Sequence, residues 1–274
     1  WWRSPGTAMQ PQSPPTPAQR RGLHALNRRN GNGGMRIMKT LGVLGGLGPM
    51  ASAYFYQLIV QMSDAATDQE HMEVILHSKP RIPDRTRYIL GQSRENPLPQ
   101  MAEAGRGLAA QGAEILAIPC VTAHFFQEQL EAEVGVPILN AIEETAVYLE
   151  QAGIVCGGIL ATDGTLASRL FQNCLAKHGI NSVVPTEEDQ RAVMHLIYGN
   201  VKAGKPLEFP LFEAVSEHLF DRGAQVILLA CTELSLIKRD YVLRQGFLDV
   251  LEVLARKAVL CCGRLKGEYE NLIT

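Results

Sequence analysis

From about residue 40 the chain alternates short apolar runs with longer stretches of helical period. Apolar runs over 40–44, 72–77, 115–118, 136–139, 156–162, 181–184 and 226–230 read as strands, most of them buried on both faces. Between them, the spacing predicts helices over 50–62, 98–111, 123–134, 142–152, 166–178, 187–202, 211–222 and 248–265. Residues 78–87, punctuated by Pro80 and Pro83, read as a rigid loop. Strand-helix alternation of this kind predicts an α/β fold: open, parallel, doubly wound sheets.

Two of the strands look like copies. Ile115-Leu-Ala-Ile-Pro-Cys120 and Val226-Ile-Leu-Leu-Ala-Cys231 each follow a Gly-Ala pair, end in cysteine and are trailed closely by a threonine. The spacing back to the opening strand is similar too: 74 residues separate Leu41 from Ile115, and 69 separate Gly157 from Val226. This is a weak internal repeat, predicting two half-domains of like topology. In open α/β sheets ligands sit beyond the carboxyl ends of strands, so a cleft between the halves would be faced by both cysteines.

Composition narrows the picture. The formal charge of −2 implies no general attraction to nucleic acid. No apolar run is long and charge-free enough to span a bilayer. Residues 1–34 carry five arginines, five prolines and no acid, and read as a disordered tail or an artificial extension ahead of a start at Met35. The six cysteines show neither a disulfide framework nor zinc-site spacing, so free thiols in a reducing cytoplasm are expected.

Buried apolar cysteine is usually inert, and that suffices for Cys156, Cys174, Cys261 and Cys262. Cys120 and Cys231 differ in holding matching strand-end positions next to polar Thr122 and Thr232. A thiol of pKa about 8.5 becomes a usable base where helix N-terminal amides stabilise its thiolate. Two opposed thiols could remove a proton from one face of a carbon and return one to the other. His124 is either an acid beside Cys120 or a structural cap. In the 78–87 loop, Arg85 is a candidate for gripping a substrate carboxylate; a surface pair with Asp84 stands as an equal alternative. Gly46-x-Gly48-x-x-Ala51 satisfies a dinucleotide fingerprint, but the ribose-binding acid is misplaced and Pro49 removes an amide. A small carboxylate at that helix N-terminus fits better. P-loop, GxSxG, HExxH and EF-hand patterns are all missing from the chain.

Six stretches in order carry a resemblance. They are Leu44-Gly-Gly-Leu-Gly-Pro49, Ser78–Thr86 with Ile82-Pro-Asp-Arg85, Pro119-Cys-Val-Thr-Ala-His124, Leu160-Ala-Thr-Asp-Gly-Thr165, Tyr198 with Lys202, and Cys231-Thr-Glu-Leu234. Together, across 35–265, they resemble the pyridoxal-phosphate-independent aspartate/glutamate racemases, the aspartate racemases in particular. The resemblance implies two α/β domains about a pseudo-twofold axis with the active site between them. The last helix would return to the first domain, giving 35–139 plus 248–265 and, as the second domain, 140–247. It implies an enzyme that interconverts L- and D-aspartate without cofactor or metal, with Cys120 and Cys231 as its acid/base pair. Arg85 and Lys202 match positions that hold the side-chain carboxylate, with Tyr198 one turn before Lys202. Thr122, Thr162, Thr165, Thr232 and the turn Leu47-Gly48 resemble the groups that receive the α-carboxylate. A dicarboxylic amino acid as substrate and a homodimer are implied, with neither nucleic acid nor membrane as partner. The family usually has Asn where this chain has Val121, a lost hydrogen-bond donor of about 1–3 kcal/mol. Glutamate or another small carboxylate as substrate is the nearest alternative; a non-catalytic acidic-metabolite binder or a nucleotide-dependent oxidoreductase is more distant.

Overall fold

A computed structural model of the chain describes residues 38–274, which pack as one compact unit; the tail expected over 1–34 lies outside the described residues. Two parallel sheets form the framework. The first runs β2-β1-β3, from β1 (Leu41–Gly45), β2 (Val74–Ser78) and β3 (Ile115–Ala117). The second runs β5-β4-β6-β7, from β4 (Cys156–Leu160), β5 (Asn181–Val183), β6 (Val226–Leu229) and β7 (Phe247–Asp249). The run over 136–139 makes a single parallel bridge, Ile138 beside Leu116, because Pro137 has no N–H to extend a ladder. Counting that bridge, both halves share one strand order, second-first-third-fourth. β1 and β6 are fully buried, as continuous apolar runs in parallel sheets require.

The cysteine strands begin with the same device. Gly112 and Gly223 adopt φ of 102° and 95°, a left-handed backbone that a side chain disfavours. The amides of Ala113 and Ala224 then close back 3.1 Å onto the carbonyls of Leu108 and Leu219. In each half this ends the preceding helix, α3 (Leu98–Ala110) or α9 (Phe209–Asp221), and starts the strand.

Helices follow the predicted periods with informative differences. α1 (Pro49–Met62) has Pro49 in its first turn, where a missing N–H is harmless. The expected loop over 78–87 ends in a short helix, α2 (Arg85–Ile89), because Asp84 accepts the Arg87 amide at 2.9 Å. The helix expected over 123–134 is a 3₁₀ turn (Val121–Phe126) leading into α4 (Gln127–Val134). That expected over 166–178 begins earlier and breaks: α6 (Asp163–Ser168) and α7 (Leu170–Lys177) are separated by Arg169 at φ 56°. α8 (Glu187–Met194) runs into a π-helical turn (His195–Val201) just before Lys202. α10 (Thr232–Asp240), directly after Cys231, was not anticipated, although Glu233 in its first turn and Lys238 and Arg239 in its last are ordinary helix signals. The closing helix starts later than expected: Phe247–Asp249 pairs with β6, and α11 is Val250–Cys262.

The helices that follow each half's fourth strand cross over. α5 (Ala141–Gln151), leaving the first half, packs on α7 of the second. α11, leaving the second half, packs on α1 of the first, burying Leu251, Leu254, Ala255, Ala258 and Val259 at helical spacing. α2 meets α6, and α10 meets α1, across the same seam. These contacts set the carboxyl ends of β1, β3, β4 and β6 around one cleft.

Candidate active site

Every residue singled out from the sequence comes to this cleft or its mouth. Leu47, Arg85, Cys120, Thr122, Thr162, Tyr198, Lys202, Cys231 and Thr232 line one small cavity, joined by Asp84, Thr86, Val121 and Glu233. Gly48 lies on the larger groove that opens outside it and shares Leu47, Arg85, Lys202 and Glu233 with the cavity. Thr165 joins from behind through its hydroxyl.

Both cysteines are buried, and each caps a helical start: Cys120 the 3₁₀ turn after β3, Cys231 the helix α10 after β6. Strand-to-helix junctions hold both sulfurs where backbone amides gather. His124 is committed elsewhere. Its Nε2 accepts the Ala141 amide at 3.0 Å, so Nδ1 carries the proton and donates to the Cys120 carbonyl at 3.1 Å. Burial lowers its pKa and keeps it neutral. The cap reading therefore holds for His124: it fixes the backbone of Cys120 rather than serving its thiol.

Glu233 is the residue that sequence reasoning passed over. Its Oε2 accepts the Cys231 thiol at 3.0 Å, and its Oε1 takes the Lys202 ammonium. Burial, then the Glu233 charge, pushes the Cys231 thiol pKa well up and keeps that sulfur protonated. Burial alone would lower Lys202, but Glu233 and the cysteines beside it outweigh burial and raise it. The π turn brings the Lys202 Nζ to 5.5 Å from the Tyr198 ring centre, a cation–π distance. Tyr198, its own pKa raised to about 12 by burial and then by Asp84, donates to that carboxylate at 3.4 Å.

Arg85 does not pair with Asp84, which is occupied by the α2 amide and Tyr198. Its terminal nitrogens instead donate to the carbonyls of Leu47 at 3.0 Å and Pro83 at 2.9 Å. The Nε is buried with no protein acceptor, a donor left over for a ligand. Opposite lies a knot of hydroxyls from both halves. Thr122 meets Thr162 at 3.1 Å and Thr165 at 2.9 Å, and Thr86 donates to Thr162 at 3.3 Å. Thr162 also caps α6. Gly164 is needed here, since a Cβ would lie 2.8 Å from the Thr86 Cα. Val121 is buried and offers the cleft no hydrogen bond.

The glycine turn is not built for a dinucleotide. A Cβ on Gly48 would lie 2.5 Å from Glu233 Oε1, so a pyrophosphate there would meet a carboxylate. The site can instead surround a small zwitterion with two cations, a cluster of hydroxyls and two thiols.

Comparison with known proteins agrees with this geometry. The family model for Asp/Glu/hydantoin racemases matches residues 44–258. The broad specificity amino-acid racemase RacX of Bacillus subtilis is 24% identical over 80% of this chain and 96% of its own length. The aspartate racemase of Picrophilus torridus superposes with a TM-score of 0.73 at 30% identity, over 84% of this chain and 97% of its own. A glutamate racemase from Francisella tularensis, solved with D-glutamate, shares the fold at 17% identity and a TM-score of 0.58, over 81% of this chain and 80% of its own. With a family-wide match across most of its length and a fold to go with it, this chain belongs to the Asp/Glu/hydantoin racemase family, a family of isomerases.

Proposed function

We propose that the protein racemises aspartate with two thiols and no cofactor. The observation that carries this reading is the cleft itself: two buried cysteines at matching strand ends, beside Arg85 and Lys202. The α-carbon of an amino acid is a very weak acid, so the site must stabilise the developing carbanion before a thiolate can take the proton. The hydroxyls of Thr122, Thr162 and Thr165 receive the α-carboxylate, while Arg85 and Lys202 hold the side-chain carboxylate. Cys231, hydrogen-bonded to Glu233, starts as the thiol and proton donor. Cys120 starts as the thiolate, takes the α-proton and ends protonated; the Cys231 proton goes to the opposite face. The enzyme finishes with the two protonation states exchanged, ready for the reverse reaction. On this reading the halves act as two domains, 35–139 plus 248–265 and 140–247, closing on substrate. A homodimer in a reducing cytoplasm belongs to the same reading.

The test is exchange at Cα in D₂O with L-aspartate and, separately, L-glutamate, without added cofactor, followed by NMR and a chiral assay. Deuterium in aspartate together with D-aspartate is expected. Exchange confined to glutamate would overturn the substrate, and exchange without D-product would overturn the two-thiol mechanism.

A further inference from the structure

Behind the cleft, α5 and α7 bring together three side chains of metal-binding type. Cys174 lies on α7 and His178 four residues on, just past its end, so both face α5. Glu143 of α5 stands between them, its Oε1 3.0 Å from His178 Nε2 and its Oε2 accepting the Cys174 thiol at 3.2 Å. One ligand atom from each lies within 4.8 Å of the other two. A fourth group completes the pattern: His178 Nδ1 is 2.8 Å from Glu150 Oε2, two turns further along α5 than Glu143.

We propose that Glu143, Cys174 and His178 form a binding site for zinc or a similar divalent transition metal. Thiolate, imidazole and carboxylate are the three ligand classes that zinc takes from proteins. Three protein ligands with a water in the fourth place make a complete tetrahedral set. Glu150 supplies the outer carboxylate that metal-binding histidines characteristically carry: by accepting the Nδ1 proton it leaves the Nε2 lone pair free for the metal. The adjoining groove, which reaches Asn173 and Lys177, gives ion and water a way in. Lys177 on that wall disfavours a hard cation held by charge alone, so the thiolate is what selects the ion. On binding, the Cys174 proton and the Nε2 proton that His178 gives to Glu143 both leave to solvent, the sulfur and the nitrogen donate lone pairs, and no electrons change hands. The sequence shows no zinc spacing here because the third ligand is 31 residues from Cys174 and on another helix. Since α5 and α7 pack on one another within 140–247, the metal would staple two helices of one domain rather than take part in proton transfer.

The experiment uses the full chain carrying Cys120→Ser and Cys231→Ser, so that the cleft thiols cannot contribute. Titration with Co²⁺ should give a near-ultraviolet thiolate-to-cobalt charge-transfer band saturating at one ion per chain. Zn²⁺ should bleach the band, and Cys174→Ser should abolish it. Glu150→Gln should keep the band and weaken Zn²⁺ binding about 10–100-fold. No band, or a band that survives Cys174→Ser in folded protein, overturns the proposal. In wild-type protein, Zn²⁺ should protect Cys174 from alkylation mapped by mass spectrometry; equal labelling with and without Zn²⁺ overturns it independently.

Discussion

Among single residues, Glu233 governs the electrostatics of the cleft. One carboxylate oxygen keeps the Cys231 proton in place and the other neutralises Lys202. On the proposed function, a substrate carboxylate would share Lys202 with Glu233. Glu233→Gln removes the negative charge that raises Cys231, and frees the Lys202 charge to lower it further. The alkaline limb of the kcat/KM profile, where the donor thiol is lost, should move to lower pH. An unmoved alkaline limb in the variant would show that Glu233 does not set the state of Cys231. The cysteines were legible in the sequence because a repeat placed them at equivalent strand ends. Glu233 was not, because an acid in the first turn of a helix is a routine dipole partner, and only the fold brings Lys202 to it. The sequence leaves a surface pair of Arg85 with Asp84 open, and only the fold shows Asp84 taken by the Arg87 amide and Tyr198.

For the elements, the repeat extends to helix caps, with one telling difference. Asn140 caps α5, and Asp249 caps α11 at the matching place. Asp249 is fully buried; its Oδ1 accepts from Ser235 at 2.7 Å and the Leu251 amide at 2.8 Å, while Oδ2 has no partner. Burial, then Glu252, pushes its pKa up to about 7, although Ser235, Lys238 and the Leu251 amide oppose this. An unfolded aspartate titrates near 3.9, so between about pH 4 and 7 the folded chain binds the extra proton. The contribution of Asp249 to stability then falls as pH rises through that window. Asp249→Asn, which copies the other half, keeps the cap and should flatten that slope between urea midpoints measured at pH 5 and pH 7.5. A wild-type slope in the variant would place the dependence elsewhere. Most elements were legible, since buried parallel strands and amphipathic helices declare themselves by period. The breaks were not: Arg169 at positive φ divides α6 from α7, and a π turn, with the His195 ring set against Gly199, precedes Lys202.

At the level of the whole molecule, two sheets of one strand order exchange their closing helices, α5 onto the second half and α11 onto the first. This crossing holds the strand ends face to face, and the hydroxyls of Thr86 and Thr122 meet those of Thr162 and Thr165 from the opposite half. The proposed proton relay across a carbon needs such an arrangement, because each half contributes one of the two cysteines. Among the described residues no helix is long and apolar enough to cross a membrane. The repeat spacing made two halves legible, but the exchange of helices has no local signature, because each is an ordinary amphipathic segment whose apolar face does not name its partner.

The central claim is that one thiol works on each face of the same carbon. It is tested most directly with Cys120→Ala and Cys231→Ala, each checked for an unchanged circular dichroism spectrum, then assayed for racemisation of L- and D-aspartate. Either substitution is expected to abolish racemisation in both directions, because each direction needs one thiolate and one thiol. Racemisation persisting in either folded variant would contradict it.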